Sequence, residues 1–531
     1  MNGKMFNLLT DAFITALPLG ALTLPGTLAA LARDEVDDFP ALRAHQGMFW
    51  HMFLVQLAAL ALHGAGETEI PQDEETWRSL LRGLTKDFPD DEPWCLVVDD
   101  WSKPAFMQAA VPDGVKLDNP VPSPDALDLL ITSKNHDLKQ TVARRAEPED
   151  WLFALVTLQT GEGYGGAGNH GIARMNGGSS SRPMLALAPL SGPGSRGMAP
   201  RPGAWFRRDV RVLLDTRDKV LDNTPFDYPL SGGIGVTWAV AWPEGSQLRT
   251  RDLDIWFIET CRRVRLAARD GVLHGFRGTS KAPRIDTKHL NGAVGDPWAP
   301  VQRAENKSLT LASGDFDYRR LTELLFSGDW IRPVLAELAD ADGQGETLAV
   351  VAAALSRGNS KTEGFKSRIV PLSGRVSRAL GTRRAELHEL ARSQVETIAA
   401  FDRALRDALV LAAAGGERQK IKKELYEPTS PARGHLDRYA DEIFFEHLWR
   451  RFEAQEAGPE ALQAEERAFA AKLWDRTQAI FEQALPALPC PSLFRPRAEA
   501  RARSLLRFLV KKRYPDLFPK QQQMEAMTDA A

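Results

Sequence analysis

The sequence predicts an α+β protein: a large, irregular mixed α/β domain over residues 1–370, followed by a carboxy-terminal four-helix bundle over residues 371–531. Three observations predict it. The 531 residues exceed what one hydrophobic core usually holds. In the first part, short apolar runs alternate with Gly, Pro and Asp clusters. In the last part, apolar residues recur at helical spacing.

Within the first domain, helical patterns cover Pro40–Leu62 and Glu74–Leu84. Short apolar runs occupy Trp94–Val98 and Trp151–Leu158, with turn-forming residues between them. This mixture indicates a domain with many loops, and no fixed-period repeat is present.

Four helices are predicted in the second domain, at about residues 375–414, 434–456, 459–485 and 497–512. The first carries apolar residues such as Leu387, Leu390 and Leu405 at helical spacing, and Gly415 and Gly416 end it. Modest loops join the four helices, which favours a bundle.

Composition restricts the function classes. The 43% hydrophobic and 26% charged residues exclude a mainly disordered or coiled-coil chain. A net charge of −3 excludes a histone-like binder of nucleic acid but allows a local basic surface. Three cysteines without paired spacing predict neither a disulfide framework nor a zinc site, and they suit a reducing cytoplasm.

Two apolar stretches have a composition that could be taken for a membrane or signal segment. Residues 12–32 are interrupted by Pro18, Gly20 and Pro25, which argues against a signal peptide. Residues 48–62 are too short to span a bilayer, which takes ~20 apolar residues, and they indicate a buried core helix. We therefore predict a cytoplasmic protein without a membrane segment.

The most unusual segment runs from Leu158 to Arg208. It contains a glycine-rich stretch at 161–178, and no Asp or Glu occurs between Glu162 and Asp209. Glycines let backbone N–H groups approach a polyanion closely, and arginines such as Arg174 and Arg182 are suited to phosphate oxygens. The segment predicts phosphate contacts; a flexible surface loop is the alternative.

Gly163, Gly165 and Gly168 also satisfy the spacing of a dinucleotide-binding fingerprint, for which residues 151–158 could supply the strand. However, no helical pattern follows, and no acidic residue stands ~20 positions further on to bind a ribose. A cytoplasmic nucleotide-binding oxidoreductase is therefore retained as the alternative function.

Other polar segments pair flexible backbone with basic side chains. The loop at 131–139 includes Lys134 and Asn135 and suits contacts to a nucleic-acid backbone or a protein neighbour; a solvated loop is equally compatible. Arg277–Arg284 includes Lys281, and Arg357–Gly364 includes Asn359, Ser360 and Lys361. Arg495–Arg513 holds eight basic residues against one acid, which suits phosphates, an acidic partner or a solvated helix face.

A catalytic constellation is not recognisable. The ten histidines are scattered, no nucleophile elbow is present, and acid pairs such as Asp99–Asp100 are typical of turns and surfaces. The sequence therefore predicts a protein that is not an enzyme.

Six segments, in this order, resemble the CasA family, the large subunit of the type I-E CRISPR surveillance complex (Cascade). They are Phe6–Asp11, Pro104–Gln108, Ile131–Lys139, Gly163–Pro183, Gly295–Trp298 and Arg357–Gly364. The resemblance covers nearly the whole chain, and the mixed domain followed by a helical bundle matches that family's layout.

The resemblance implies a non-catalytic role in RNA-guided antiviral defence. A subunit of this family recognises the protospacer-adjacent motif in double-stranded target DNA through the minor groove. It also helps to unwind the duplex and helps to recruit the helicase-nuclease. The implied partners are target DNA, the guide RNA, the other Cascade subunits and the helicase-nuclease, with no cofactor.

The family's functional elements map onto particular residues. The glycine loop corresponds to Gly163, Tyr164, Gly165 and Gly166, and the lysine finger to Lys281. The family's wedge is a glutamine, whereas this loop offers Asn359, Ser360 or Lys361, of which we favour Asn359. Some members carry a cysteine cluster before the lysine finger; here only Cys261 remains, so we predict no metal.

Overall fold

The protein is described as a computed structural model. The structure describes residues 4–127, 146–178, 180–190, 199–223, 225–340, 342, 347–358 and 361–518. The chain divides into an amino-terminal unit, Met1–Phe316 with Gly328–Gly374, and a carboxy-terminal unit, Asp317–Ser327 with Arg375–Ala531. The boundary predicted at residue 370 lies close to the division after Gly374. Residues 317–327, which fall within the predicted first domain, belong instead to the carboxy-terminal unit.

The helices of the amino-terminal unit are α1 (Leu24–Ala32), α2 (Gly47–Ala65), α3 (Glu74–Gly83), α4 (Pro148–Gly161) and α5 (Pro202–Asn223). Its strands are β1 (Lys4–Asn7), β2 (Ile14–Ala16), β3 (Gly20–Leu22), β4 (Cys95–Val98), β5 (Asn119–Val121), β6 (Met184–Pro189), β7 (Ile234–Val236), β8 (Leu253–Ile258), β9 (Arg263–Arg269), β10 (Val272–Gly278), β11 (Val301–Gln302), β12 (Lys307–Ser308), β13 (Trp330–Ile331), β14 (Leu348–Gly358) and β15 (Lys361–Pro371).

These strands form small sheets rather than one large one. The three-stranded sheets have the orders β5-β10-β9, β12-β11-β13 and β15-β14-β6, and the pairs are β1-β4, β2-β3 and β7-β8. All pairings are antiparallel except β7 with β8. Numerous short sheets joined by loops give the irregular α+β domain that the sequence predicts.

Helix α2 lies at the centre of the amino-terminal core. It packs against α4, α5 and β8, and the ring of Trp50 makes an edge contact with Phe153 at 5.1 Å between centroids. The helix is long and apolar enough to cross a membrane, but most of it is buried inside the protein. Its burial agrees with the core helix predicted for residues 48–62.

Two sequence-based assignments in this unit need correction. The predicted helix at 40–62 begins only at Gly47, because residues 40–46 form turns. The run at 151–158 belongs to helix α4 and is not a strand; Pro148 occupies its first turn, and every residue from Trp151 to Gly161 is buried. A helix buried on all sides has a continuous apolar run that resembles a buried strand.

The carboxy-terminal unit contains α6 (Tyr318–Phe326), α7 (Gly374–Thr382), α8 (Arg384–Ala413), α9 (Ser430–Ala457), α10 (Pro459–Ala484) and α11 (Arg495–Arg513). The four long helices α8 to α11 pack together and correspond to the four predicted helices. The first prediction, at about 375–414, needs correction, because that stretch is divided at Arg383 into α7 and α8. Helix α8 ends as expected, with Gly415 and Gly416 in the left-handed region at φ 69° and 77°.

The basic helix α11 is partly neutralised within its own unit. The guanidinium of Arg503 pairs with Glu482 at 2.7 Å, and that of Arg497 pairs with Glu417 at 2.6 Å. Arg501 donates to the carbonyl oxygen of Gly416. Several of the eight basic residues therefore hold the bundle together through ion pairs and hydrogen bonds.

Candidate nucleic-acid interface

The glycine-rich stretch begins where helix α4 ends. Gly161 closes the helix against the ring of Phe49, and a Cβ at this position would lie 2.4 Å from that ring. The backbone of Gly163 then donates to the carbonyl of Ser180, and that of Tyr164 donates to Gly178. The stretch is therefore a folded element, fixed at its base by the carbonyl groups of Gly178 and Ser180.

A tight turn follows at Tyr164–Asn169. The amide of Gly165 donates to the carbonyl of Asn169, and the amide of Asn169 donates to Gly166. Tyr164 and Gly165 are exposed, with 44% of Tyr164 accessible. We call residues 164–169 the glycine turn: it presents backbone and one aromatic ring to solvent.

The glycines divide into two groups according to what surrounds them. A Cβ at Gly163 would lie 2.3 Å from the carbonyl oxygen of Gly178, and one at Gly171 would lie 2.6 Å from the Gly163 backbone. Those two glycines are required for internal packing. A Cβ at Gly165 would lie 3.3 Å from Nη2 of Arg262, a tight contact with the end of a side chain, whereas Gly166 has open space around it. Gly165 and Gly166 therefore leave an accessible backbone surface.

Lys281 lies beside the glycine turn. The amide of Ser280, its chain neighbour, donates to the carbonyl of Gly168, and a ring nitrogen of His170 lies 3.2 Å from the carbonyl oxygen of Ser280. The amide of Lys281 donates to the carboxylate of Glu244 at 2.7 Å, while the residue itself is exposed. Two predicted site elements, the glycine loop and the lysine, are thus neighbours in space.

The hairpin of β14 and β15 is the third element of the site. The hydroxyl of Ser180 donates to the carbonyl of Leu355, and the amide of Leu355 donates to the hydroxyl of Ser181. Arg357, at the end of β14, pairs with the carboxylate of Glu162 at 3.2 Å. The hairpin is therefore attached to the base of the glycine-rich stretch.

Glu162 also contacts a second arginine. The Nη2 atom of Arg262 lies 3.3 Å from Glu162 and donates to the carbonyl of Gly163 at 2.8 Å. The sequence singled out the glycines but gave no role to Glu162, because its two partners are distant along the chain.

Several predicted site residues lie outside the described residues: Lys134, Asn135, Asn359 and Ser360. The backbone of Lys361 begins β15, where it pairs with Gly358. These assignments remain predictions.

The structure corrects the phosphate contacts predicted for Arg174 and Arg182. Both are buried, with 2% and 1% of the residue exposed. The guanidinium of Arg182 forms two hydrogen bonds to Asp296, at 2.6 and 2.9 Å, while that of Arg174 donates to the carbonyl of Phe257 and lies over its ring. Neither can reach a phosphate in this fold, because interior acceptors already bind them.

The other arginines described in the acid-free run also have internal partners. Arg201 and Arg207 pair with Asp34, and Arg208 pairs with Asp342 at 2.8 Å. Acids from distant segments therefore neutralise these arginines, so the lack of acids between residues 162 and 209 does not by itself indicate a binding surface. A count of charges along the sequence cannot distinguish internal pairing from a binding surface.

One buried acid beneath the interface was not predicted. Both carboxylate oxygens of Glu259 accept from the amide of Ala173, at 3.0 and 2.8 Å. Burial raises the pKa of Glu259 to about 7, against the lowering effect of the Ala173 amide and nearby arginines. This carboxyl holds the backbone next to Arg174 in position.

The structure does not support the dinucleotide fingerprint. Gly163–Gly168 follow helix α4 rather than a strand, and residues 169–178 have mostly irregular backbone and contain no helix. The fingerprint needs a strand before and a helix after it to direct backbone amides at a pyrophosphate. In the described ranges, no group of three or more His, Cys, Asp or Glu is arranged to hold a metal ion.

Comparison with known proteins shows which solved structures share this fold. No protein-family model matches the sequence, and no curated protein matches it. Among solved structures, Cse1 from Acidimicrobium ferrooxidans has a TM-score of 0.62 at 13% identity, covering 97% of this chain and 99% of that one. CasA (Cse1) of Thermus thermophilus has a TM-score of 0.61 at 14% sequence identity, and the match covers 96% of this chain and 100% of that one. Cse1 of Thermobifida fusca has a TM-score of 0.62 at 15% identity, with 96% of this chain and 98% of that one covered.

The chain therefore has the fold of a CRISPR-associated protein. That fold is the one found in the Cse1, or CasA, structures, over nearly the full length of each chain. The fold that the sequence resemblance implied is confirmed, including the mixed domain followed by several helices.

Proposed function

We propose that this chain is the non-catalytic large subunit of a type I-E Cascade complex and recognises the protospacer-adjacent motif in the minor groove of target DNA. The observation that carries the proposal is the convergence of three elements at one surface: the glycine turn, Lys281 and the β14–β15 hairpin. The Ser280–Gly168 hydrogen bond and the Arg357–Glu162 ion pair join them. The Cse1 fold supports the same role.

The geometry suits a minor groove. That groove is only ~6 Å wide, and side chains at Gly165 or Gly166 would obstruct the approach of backbone to its floor. Lys281 adds a cation beside the turn. Because the minor groove offers a degenerate hydrogen-bond pattern, this mode favours a tolerant motif preference rather than one strict sequence. Base pairing with the guide RNA then supplies sequence specificity.

The proposal extends to duplex opening and to partners. Residues 359–361, separated from Arg357 by Gly358 alone, supply the wedge, with Asn359 favoured. Insertion of a side chain between base pairs costs a few kcal/mol of unstacking, which pairing of the target strand with the guide offsets. The loop with Lys134 and Asn135 contacts neighbouring Cascade subunits near the guide RNA, and the assembled complex recruits the helicase-nuclease from the cytoplasm.

The test is duplex binding by the complex reconstituted with its companion subunits and guide RNA. Gly165→Asp places a carboxylate on the exposed turn, and Lys281→Ala removes the adjacent cation. Both should lower affinity for a target that carries the motif and have little effect on a target without it. Lys86→Ala, at an exposed lysine after α3, is the matched control for charge loss. Unchanged motif-dependent affinity in both variants would refute the site.

A further inference from the structure

Glu162 forms ion pairs with two arginines at the base of the glycine turn. Its side chain is the last before the glycine turn, and it meets two guanidinium groups from distant parts of the chain. Arg262 lies immediately before β9, and Arg357 is the penultimate residue of β14. One carboxylate thus connects three separate segments.

Each oxygen of the Glu162 carboxylate contacts a different arginine. Oε2 lies 3.3 Å from Nη2 of Arg262, which in turn donates to the carbonyl of Gly163 at the base of the turn. Oε1 lies 3.2 Å from Nη1 of Arg357. An atom chain therefore runs from the backbone of Gly163 through Arg262 and Glu162 to the hairpin.

Arg262 is itself held rigidly. Its amide donates to Oε1 of Gln159 at 2.8 Å, and its carbonyl accepts from Nε2 of the same side chain at 3.0 Å. Gln159 lies on α4 and is fully buried. The backbone of Arg262 is therefore anchored to α4, and its guanidinium holds Glu162 and Gly163 in position relative to that helix.

On the hairpin side, the strand pairing is irregular at this point. The pairing of β14 with β15 shifts register between Ser356 and Arg357, and such an irregularity lets the end of a strand change direction. The ion pair with Glu162 holds the side chain of Arg357 against the residue that precedes Gly163.

We propose that Glu162 is a positioning residue that locks the hairpin end to the glycine turn, so that both elements meet DNA in one fixed geometry. This inference rests on the proposed function. It also assigns Arg357 to an internal ion pair rather than to phosphate. A side chain held by two ion pairs that are only partly exposed has the small conformational freedom that such a role needs.

The sign of the effect of Glu162→Gln separates positioning from simple electrostatics. If Glu162 acted only through its charge, its neutralisation near DNA would strengthen binding, whereas Arg357→Gln would weaken it and lower the salt dependence by about 0.9. Positioning predicts that both variants weaken binding of the motif-bearing duplex, on the order of tenfold, with the salt slope unchanged. Arg82→Gln, which breaks a comparable ion pair with Asp91, is the matched control.

The closing experiment is a double-mutant cycle on the reconstituted complex, with Glu162→Gln, Arg357→Gln and the double variant. A double variant no weaker than the worse single variant supports the lock. Additive losses, or unchanged or tighter binding by Glu162→Gln, overturn it when Gly165→Asp and Lys281→Ala do lower motif-dependent affinity.

A second readout on the isolated chain needs no DNA. Amide hydrogen exchange at residues 163–165 and 355–357 should accelerate in both single variants and no further in the double variant. If Gly165→Asp and Lys281→Ala leave DNA binding unchanged, the proposed function fails. The positioning role of Glu162 is then tested by amide hydrogen exchange alone. Unchanged exchange at both segments would then overturn it.

Discussion

Gly168 and Thr279 approach so closely that no side chain fits between them. A Cβ on Gly168 would lie 2.5 Å from the Cβ of Thr279, and the backbone of Gly168 is in the left-handed region at φ 74°. Because the next residue, Ser280, donates to the carbonyl of Gly168, this contact sets the spacing between the glycine turn and Lys281.

The first prediction concerns this contact. Gly168→Ala should destabilise the amino-terminal unit by about 1–3 kcal/mol beyond the cost of its backbone conformation, because the added methyl group overlaps Thr279. Gly177→Ala is the control, since Gly177 has a similar φ of 80° and open space around it. Urea unfolding of the two variants measures the difference; equal losses of stability would contradict the close contact.

The second prediction tests the buried pair of Arg182 and Asp296. Burial alone raises the pKa of Asp296, but Arg182 and Arg174 outweigh burial and lower it. Arg182→Ala leaves the carboxylate uncompensated in the interior and should cost about 3–5 kcal/mol of unfolding free energy. Lys307→Ala, which breaks an exposed pair with Glu305, should cost no more than about 1 kcal/mol. A stable Arg182→Ala protein with weakened DNA binding would restore the phosphate-contact hypothesis.

The third prediction is a pH dependence that comes from Glu259. Its pKa is about 7 in the folded protein and about 4.3 in an unfolded chain. The folded state therefore binds this proton more tightly, and the stabilisation is complete below the unfolded pKa and is lost as the pH rises towards 7. Between about pH 4.5 and 7, the wild type should lose about 3 kcal/mol relative to Glu259→Gln. Parallel stability curves for the two proteins over this range would contradict the raised pKa.

The fourth prediction concerns salt. Because Lys281 adds one cation beside the motif-bearing duplex, Lys281→Ala should reduce the slope of log affinity for that duplex against log salt by about 0.9. The measurement is a titration of target duplex at several salt concentrations. Lys86→Ala should leave the slope unchanged, and an equal reduction in both variants would indicate a nonspecific effect of charge.

Local patterns were sufficient for much of the architecture. The periodicity over residues 384–413 and the glycine pair after it predict α8 and its end, because a helix and its cap depend on neighbouring residues. The break at Arg383, which separates α7 from α8, is not visible in that periodicity. The exposed turn at Gly165 and Gly166 likewise follows from a run of glycines. These features need no information from distant parts of the chain.

Pairings between distant residues could not be predicted. Arg182 and Asp296 are 114 positions apart, and Arg357 and Glu162 are 195 apart. A sequence gives the sign of each charge but not whether an opposite charge from another segment meets it in the interior. For that reason the sequence predicts phosphate contacts for Arg174 and Arg182, although both are part of the core.

The helix at Tyr318–Phe326 has a consequence for how the chain can be divided. The hydroxyl of Tyr318 donates to Asp437 and its amide donates to Asp441, so this helix belongs with the bundle although residues on both sides of it belong to the other unit. A cut near residue 374 would free a bundle without its α6. A fragment that folds as the intact bundle would need residues 317–327 spliced on by a designed linker, and neither unit can be exchanged between homologues by a single crossover.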